Sequence, residues 1–138
     1  FDSSLWEARG VLTYQQGPVW LQGSGGYGVD IGNGARAGGD RHGLFASLSA
    51  RAALGGGVLG ELGWLYQSWA GARSYSPGLI DVARRQHTQL LRAMLSLPLS
   101  KEHGLFLEYR TVRNRENISL FAYQSRSVQL GWQWQFAR

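Results

Sequence analysis

The sequence predicts an all-β fold: an antiparallel up-and-down transmembrane β-barrel of which about seven strands are visible. Three observations predict it. Segments of roughly ten residues alternate apolar and polar side chains, the period-two signature of a strand with two unlike faces. Tight and long connections between these segments take turns. Aromatic residues gather near the proposed strand ends, where interfacial girdles require them.

The segments run in order. In Leu5 to Tyr14 the apolar parity holds Trp6, Ala8, Leu12 and Tyr14, against Glu7, Arg9 and Thr13. Val19 to Val29 sets Val19, Leu21, Tyr27 and Val29 against Gln22, Ser24 and several glycines. Gly43 to Leu54 sets Leu44, Ala46, Leu48, Ala50, Ala52 and Leu54 against Ser47, Ser49 and Arg51. Val58 to Tyr66 carries Val58, Leu62, Trp64 and Tyr66 against Glu61. Thr88 to Leu99 carries Leu91, Ala93, Leu95, Leu97 and Leu99 against Arg92 and Ser96. Gly104 to Thr111 opposes Leu105, Leu107, Tyr109 and Thr111 to Glu108 and Arg110. The closing segment SVQLGWQWQF opposes Val128, Leu130, Trp132, Trp134 and Phe136 to Gln129, Gly131, Gln133 and Gln135. Trp20, Phe45, Leu59, Leu65, Leu90 and Met94 break the pattern on the polar parity, which fits a partly filled interior rather than a wide watery one.

The tight connections are Gln16-Gly17-Pro18, Gly55-Gly56-Gly57 and Ser100-Lys101-Glu102-His103. Between them lie long links at about 30–42, 67–85 and 113–125. Bacterial barrels have short periplasmic turns and long external loops, so the sequence places Gly34, Tyr75 and Asn117 outside and Gly17, Gly56 and Glu102 inside. With that orientation the last strand ends inside and the first of seven begins outside. Complete single-chain bacterial barrels have an even strand count and satisfy every backbone amide. The chain is therefore expected to be the C-terminal portion of a larger barrel, residues 1–138 forming one barrel domain and Phe1 starting within a mature or trimmed chain.

Composition agrees. Twenty glycines and three prolines suit strands and turns, and no run reaches the roughly 18 to 20 apolar residues of a helical span. No cysteine is present. The net charge of +5 comes from thirteen arginines and Lys101, spread along the chain without the basic stripe and stacking aromatics that nucleic acid needs, so no nucleic-acid partner is expected.

The polar parity holds Glu7, Arg9, Arg51, Glu61, Arg92, Glu108 and Arg110, the candidate lumen-lining charges. Arg51 should meet Glu61 across the Gly55 turn, and Arg92 should meet Glu108 or Arg110 across the Lys101 turn. Such pairs either satisfy the interior or line a passage for a polar or anionic passenger. His42, His87 and His103 read as loop or turn residues without metal-ligand spacing, so no metal or cofactor is expected. No Gly-x-Ser-x-Gly elbow is present and no catalytic residue is assigned. The stretch GSGGYG (23–28) continues into VDIGNG rather than a helix. It reads as strand glycines admitting a bulky neighbour, not as a phosphate loop.

The run RTVRNRENISLFAYQSRSVQLGWQWQF resembles the last hairpin of outer-membrane barrels that follow periplasmic tetratricopeptide repeats, in the surface lipoprotein assembly modifier family and related exporter porins. The matching positions are Arg113, Asn114, Arg115, Asn117, Tyr123, Arg126, Val128, Leu130, Gly131, Trp132 and Phe136, with Gly38-Gly39-Asp40-Arg41 and Arg84-Arg85 similar to loops of that group. Ala137 and Arg138 follow the aromatic where those families end on it. The resemblance implies a bacterial outer-membrane, non-enzymatic translocation or assembly pore for surface-exposed or secreted lipoprotein, protein or polysaccharide. It implies as partners outer-membrane lipid and lipopolysaccharide, the barrel assembly machinery, the exported cargo, and an upstream repeat domain or partner chain. Val128, Leu130, Trp132, Trp134 and Phe136 would then form the C-terminal assembly signal. A barrel enzyme acting on lipid and a soluble lipocalin-like barrel are the alternatives.

Overall fold

Each alternating segment forms a strand, and each strand pairs with the next along the chain. The computed structural model describes residues 3–32 and 36–134. Within them β1 (Ser3–Gln16), β2 (Val19–Gly32), β3 (Arg41–Gly55), β4 (Val58–Ser76), β5 (Ile80–Pro98), β6 (His103–Glu116) and β7 (Tyr123–Trp134) form one antiparallel sheet in the order β1 to β7. The sheet is open, with β1 and β7 as its edges. A 3-10 turn, Ser119–Phe121, precedes β7.

The turns at one end are tight because their residues can take the required backbone. Gly56 sits at φ +58° between β3 and β4, in the left-handed region that only glycine occupies without strain. The chain reverses at Ser100–His103 through two bonds from the amides of Glu102 and His103 to Ser100 Oγ.

The other end differs from expectation at one link. The segment 67–85 is not a long loop: β4 and β5 run on as a hairpin with only residues 77–79 between them. Alternation fades after Tyr66, but ladder pairing does not need it. The hairpin extension keeps its backbone satisfied through bulged pairing (Ser74 with Ala83, Ser76 with Ile80) and through neighbouring links. Ala72 and Arg73 donate to the carbonyls of Asp40 and Gly38, and Asn117 bonds the backbone of Arg85 and Ala83. The links 36–40 and 117–122 are thus laid against the two sides of this hairpin. The histidines also correct the sequence reading: His42, His87 and His103 lie within β3, β5 and β6, not in loops.

Side chains separate by face as the alternation requires, but no apolar core encloses either set. Among the described residues the one buried hydrophobic side chain is Ile118, while Leu12 is 82% exposed, Leu130 77% and Trp6 70%. Pairing, not interior packing, orders this sheet.

Candidate functional site: two faces of one sheet

The strand registers align side chains in rows that cross the whole sheet, and the rows expose how the apolar face is drawn. One row reads Tyr14, Leu21, Ala50, Leu62, Ala93, Tyr109, Val128. A second, eight residues higher on β1, begins Trp6, Val29 and ends His42, Ala70, Arg85. The apolar stretch starts at Trp6 on β1, at Leu44 on β3, at Tyr66 on β4, at Leu91 on β5, at Tyr109 on β6 and at Val128 on β7. Its upper edge therefore slides down the sheet by about eight residues, ~26 Å, while crossing six inter-strand gaps of ~4.8 Å. The band is inclined at roughly 40° to the rows. Its height normal to that edge is about 20–25 Å, taken from the eight- to ten-residue apolar stretches of β1, β3, β4 and β5.

Aromatics mark both borders. Trp6, Tyr66 and Tyr109 stand at the upper edge, with the Tyr66 hydroxyl 3.1 Å from His87 Nδ1. At the lower edge Tyr14 stands on β1, and on β7 Trp132 and Trp134 stack at 6.3 Å with the His103 ring 5.2 Å from the first.

The opposite face is polar and internally paired. Arg51 and Glu61 are direct register partners, 3.3 Å apart. Arg92 stands opposite Arg110, yet it reaches diagonally to Glu108, with Nε at 2.9 Å and Nη2 at 2.7 Å from the same oxygen. Of the two partners the sequence offered Arg92, the structure selects Glu108. Arg110 forms no ion pair, which leaves the strip Arg51, Glu61, Arg92, Glu108, Arg110 with one cation in excess. Glu7 and Arg9 pair with each other on β1 at 3.4 Å, away from that strip, and the Arg9 guanidinium lies 4.8 Å over Phe45.

Glycines on this face are covered by aromatic rings from neighbouring strands. Phe45 lies over Gly26, Trp69 over Gly28 and Gly43, and Phe106 over Gly131. The GSGGYG stretch is accordingly strand, as expected. Trp69 and Phe106 were not singled out from sequence; their polar parity beside strand glycines is the signal that marks them.

A second polar group escaped the sequence reading. At the link end, Asp30 is buried and held by Arg36 at 2.9 Å and Arg41 at 2.7 Å. Glu116 accepts both Arg84 Nε (2.6 Å) and Nη2 (2.7 Å), and also Asn114, which bonds Thr88 and the Phe121 carbonyl. Burial pushes the Glu116 pKa up, but the bonds from Arg84 and Asn114 outweigh it and the net direction is down. The Arg84 guanidinium also caps the Phe121 ring at 4.5 Å. Arg36, Arg41, Trp69, Tyr75 and Arg84 enclose a cavity of about 70 Å³ between the links.

Val128, Leu130, Trp132 and Trp134 lie together on the apolar face of β7; Phe136 lies outside the described residues, as does the Gly34 link position. No family model matches this chain, and neither the curated proteins nor the solved structures yield a match.

Proposed function

We propose that this sheet is part of the wall of a bacterial outer-membrane β-barrel whose polar face lines a passage for exported or surface-bound cargo. The observation that carries the reading is the inclined apolar band. Strands of outer-membrane barrels tilt by roughly 35–45°, and their outward apolar band is about 25 Å tall with aromatic borders. A sheet built to cross such a slab must carry its apolar stretch progressively lower from strand to strand, as this one does. A soluble barrel buries its apolar face and has no reason to limit it to a slab. Exposed apolar surface on this scale also calls for a covering partner. In this reading both edges of the sheet pair with further strands, because every amide in hydrocarbon needs a partner. Lipoprotein, protein or polysaccharide cargo follows from the resemblance of the C-terminal hairpin.

Tryptophans on both faces supply the test. Variants retaining Trp64 alone or Trp20 alone are reconstituted with the rest of the protein in bilayers of brominated lipid. Trp64 fluorescence should be quenched, and Trp20, on the polar face beside Arg51, should be spared. Equal quenching, or none, would sink the proposal. Conductance across planar bilayers then tests the passage itself.

A further inference from the structure

Arg110 on the polar face and Arg73 on the hairpin extension form no ion pair; the other described arginines divide by face. Arg9, Arg36, Arg41, Arg51, Arg84 and Arg92 are ion-paired, all through the polar face or the link end. Arg85, Arg113, Arg115 and Arg126 are exposed, carry no ion pair, and stand on the apolar face. Among the described residues at paired register positions no acidic residue shares that face; Asp81, near the start of β5, accepts from the Gly78 amide.

Their order is as telling as their partnerlessness. Arg126 precedes Val128, the first apolar residue of β7 on this face. Arg113 is diagonal to Arg126 across β6 and β7, and Arg115 follows two residues on. Arg115 is opposite His87, which makes Arg85 its diagonal neighbour. Diagonal and same-strand neighbours of this kind lie about 7 Å apart. The four cations thus form an inclined line that starts two residues above the border at Arg126 and reaches six residues, ~20 Å, above it at Arg115 and Arg85, rising in the same sense as the border but more steeply. Arg85 is further anchored, since its backbone bonds Asn117 on both sides.

We infer that this line binds the phosphate groups of a multiply phosphorylated glycolipid of the lipopolysaccharide type, seated in the leaflet on the link side. The inference rests on the membrane reading above. Guanidinium groups bind phosphate oxygens in bidentate fashion, and adjacent cations suit a headgroup with more than one phosphate. Acyl chains of the same molecule would lie on Tyr109, Leu107 and Val128 directly below. A soluble polyanion would have no use for that apolar continuation, whereas a lipid uses both parts.

The test titrates the detergent-solubilised protein, folded by circular dichroism, with lipid A bearing two phosphates, with its dephosphorylated form and with inorganic phosphate. A cation near an anionic lipid surface contributes roughly a fivefold factor. Replacing all four arginines by glutamine should weaken lipid A binding by at least about thirtyfold. Replacing all four by lysine should weaken it by no more than about fivefold, and Lys101→Gln, at the opposite end, should leave it unchanged. Dephosphorylated lipid should bind the parent as weakly as the glutamine variant binds lipid A. Parent-level binding by the glutamine variant, indifference to dephosphorylation, or displacement by equimolar inorganic phosphate would each overturn the inference. If Trp64 is also unquenched in brominated bilayers, the membrane reading falls with it; if Trp64 is quenched, only the glycolipid site falls.

Discussion

Arg84 and Glu116 meet in a two-pronged ion pair across β5 and β6, with Nε–Oε2 at 2.6 Å and Nη2–Oε1 at 2.7 Å, and the carboxylate is wholly shielded. The pair lies above the apolar band and ties the 117–122 link to the β4–β5 hairpin. Breaking a buried pair from one side strands the other charge and costs about 3–5 kcal/mol. Arg84 is one-third exposed, so Arg84→Met should cost less, about 2 kcal/mol. The loss should be local: amide hydrogen exchange should rise across 114–122 and stay unchanged at the Gly55–Gly57 turn.

The same pair sets an acid response. Glu116 is held below its ordinary value of 4.5 once folded. A depressed carboxylate contributes stability that is complete above the unfolded value and disappears as pH falls through the folded one. Exchange in 114–122 should therefore stay slow from neutral pH down to about the ordinary glutamate range, then accelerate in stronger acid. Glu116→Gln should remove this acid-induced step. A step that survives the substitution would place its origin elsewhere.

Face assignment predicts unequal costs. Leu95→Arg and Leu107→Arg put a charge in the band and should each cost about 2–4 kcal/mol of folding stability in bilayers. Arg110→Leu, on the polar face and without an ion pair, should be close to neutral. Arg92→Leu is a poorer control than sequence alone indicates, because it releases Glu108. Bilayer unfolding titrations that rank Arg110→Leu with the leucine variants would reverse the two faces.

Much of this sheet was legible because alternation reports a face wherever the two sides meet unlike surroundings. All seven strands, the three tight turns and the Arg51–Glu61 pair follow from parity and spacing alone. What parity does not report is how far pairing continues. The 67–76 stretch, QSWAGARSYS, has no clean period, yet its backbone joins a ladder and receives the Gly38–Asp40 link. Asp30, Asn114 and Glu116 were likewise invisible as a group, because they lie at strand ends where the alternation gives no face, and Glu116 meets Arg84 thirty-two residues away. The inclination of the band needed the registers, which no single segment encodes.

The covered glycines give a packing prediction. The three atoms nearest a Cβ at Gly131 all belong to the Phe106 ring, whereas one at Gly26 would meet the Ala8 carbonyl oxygen as well as the Phe45 ring. Overfilling costs typically 1–3 kcal/mol. Gly131→Ala should therefore be rescued in part by Phe106→Leu, with a coupling of about 0.5–3 kcal/mol in a double-mutant cycle. Gly26→Ala should resist rescue by Phe45→Leu, since the backbone oxygen remains. Full rescue at Gly26 would show the backbone contact to be unimportant.

The proposed orientation of the sheet in a membrane can be tested by labelling. Tyr75 packs its ring against Phe121 at 5.3 Å, so a cysteine there would report on packing as well as on side. In the proposed orientation Leu79, at the hairpin tip and 82% exposed, is the cleaner external reporter, and Lys101 the internal one. Leu79→Cys should react with an impermeant maleimide on intact cells and Lys101→Cys only after permeabilisation. The reverse pattern would invert the barrel and move the arginine line to the periplasmic leaflet.

The closing strand carries the last prediction. Val128, Leu130, Trp132 and Trp134 project from one face of β7 and are all more than half exposed, and β7 is the last strand in the sheet order, beside β6. An edge strand with an apolar stripe is the form that strand addition uses, and a terminal aromatic strand serves the insertion machinery in the families this hairpin resembles. Trp132 stacks on Trp134 and on His103, with Trp134 tilted against His103, at the lower border, where an indole ring is favoured over either bulk phase. If β7 is an assembly signal, its removal acts on insertion before stability is at issue. Deleting 134–138 should leave the chain outside the outer membrane even at low expression temperature, and Phe136→Ala should slow insertion. Gln133→Ala, on the polar face opposite Gly104, should be nearly silent. Membrane fractionation after a pulse of synthesis measures all three. Normal insertion of the deletion variant, with only a lowered melting temperature, would reduce β7 to an ordinary edge strand.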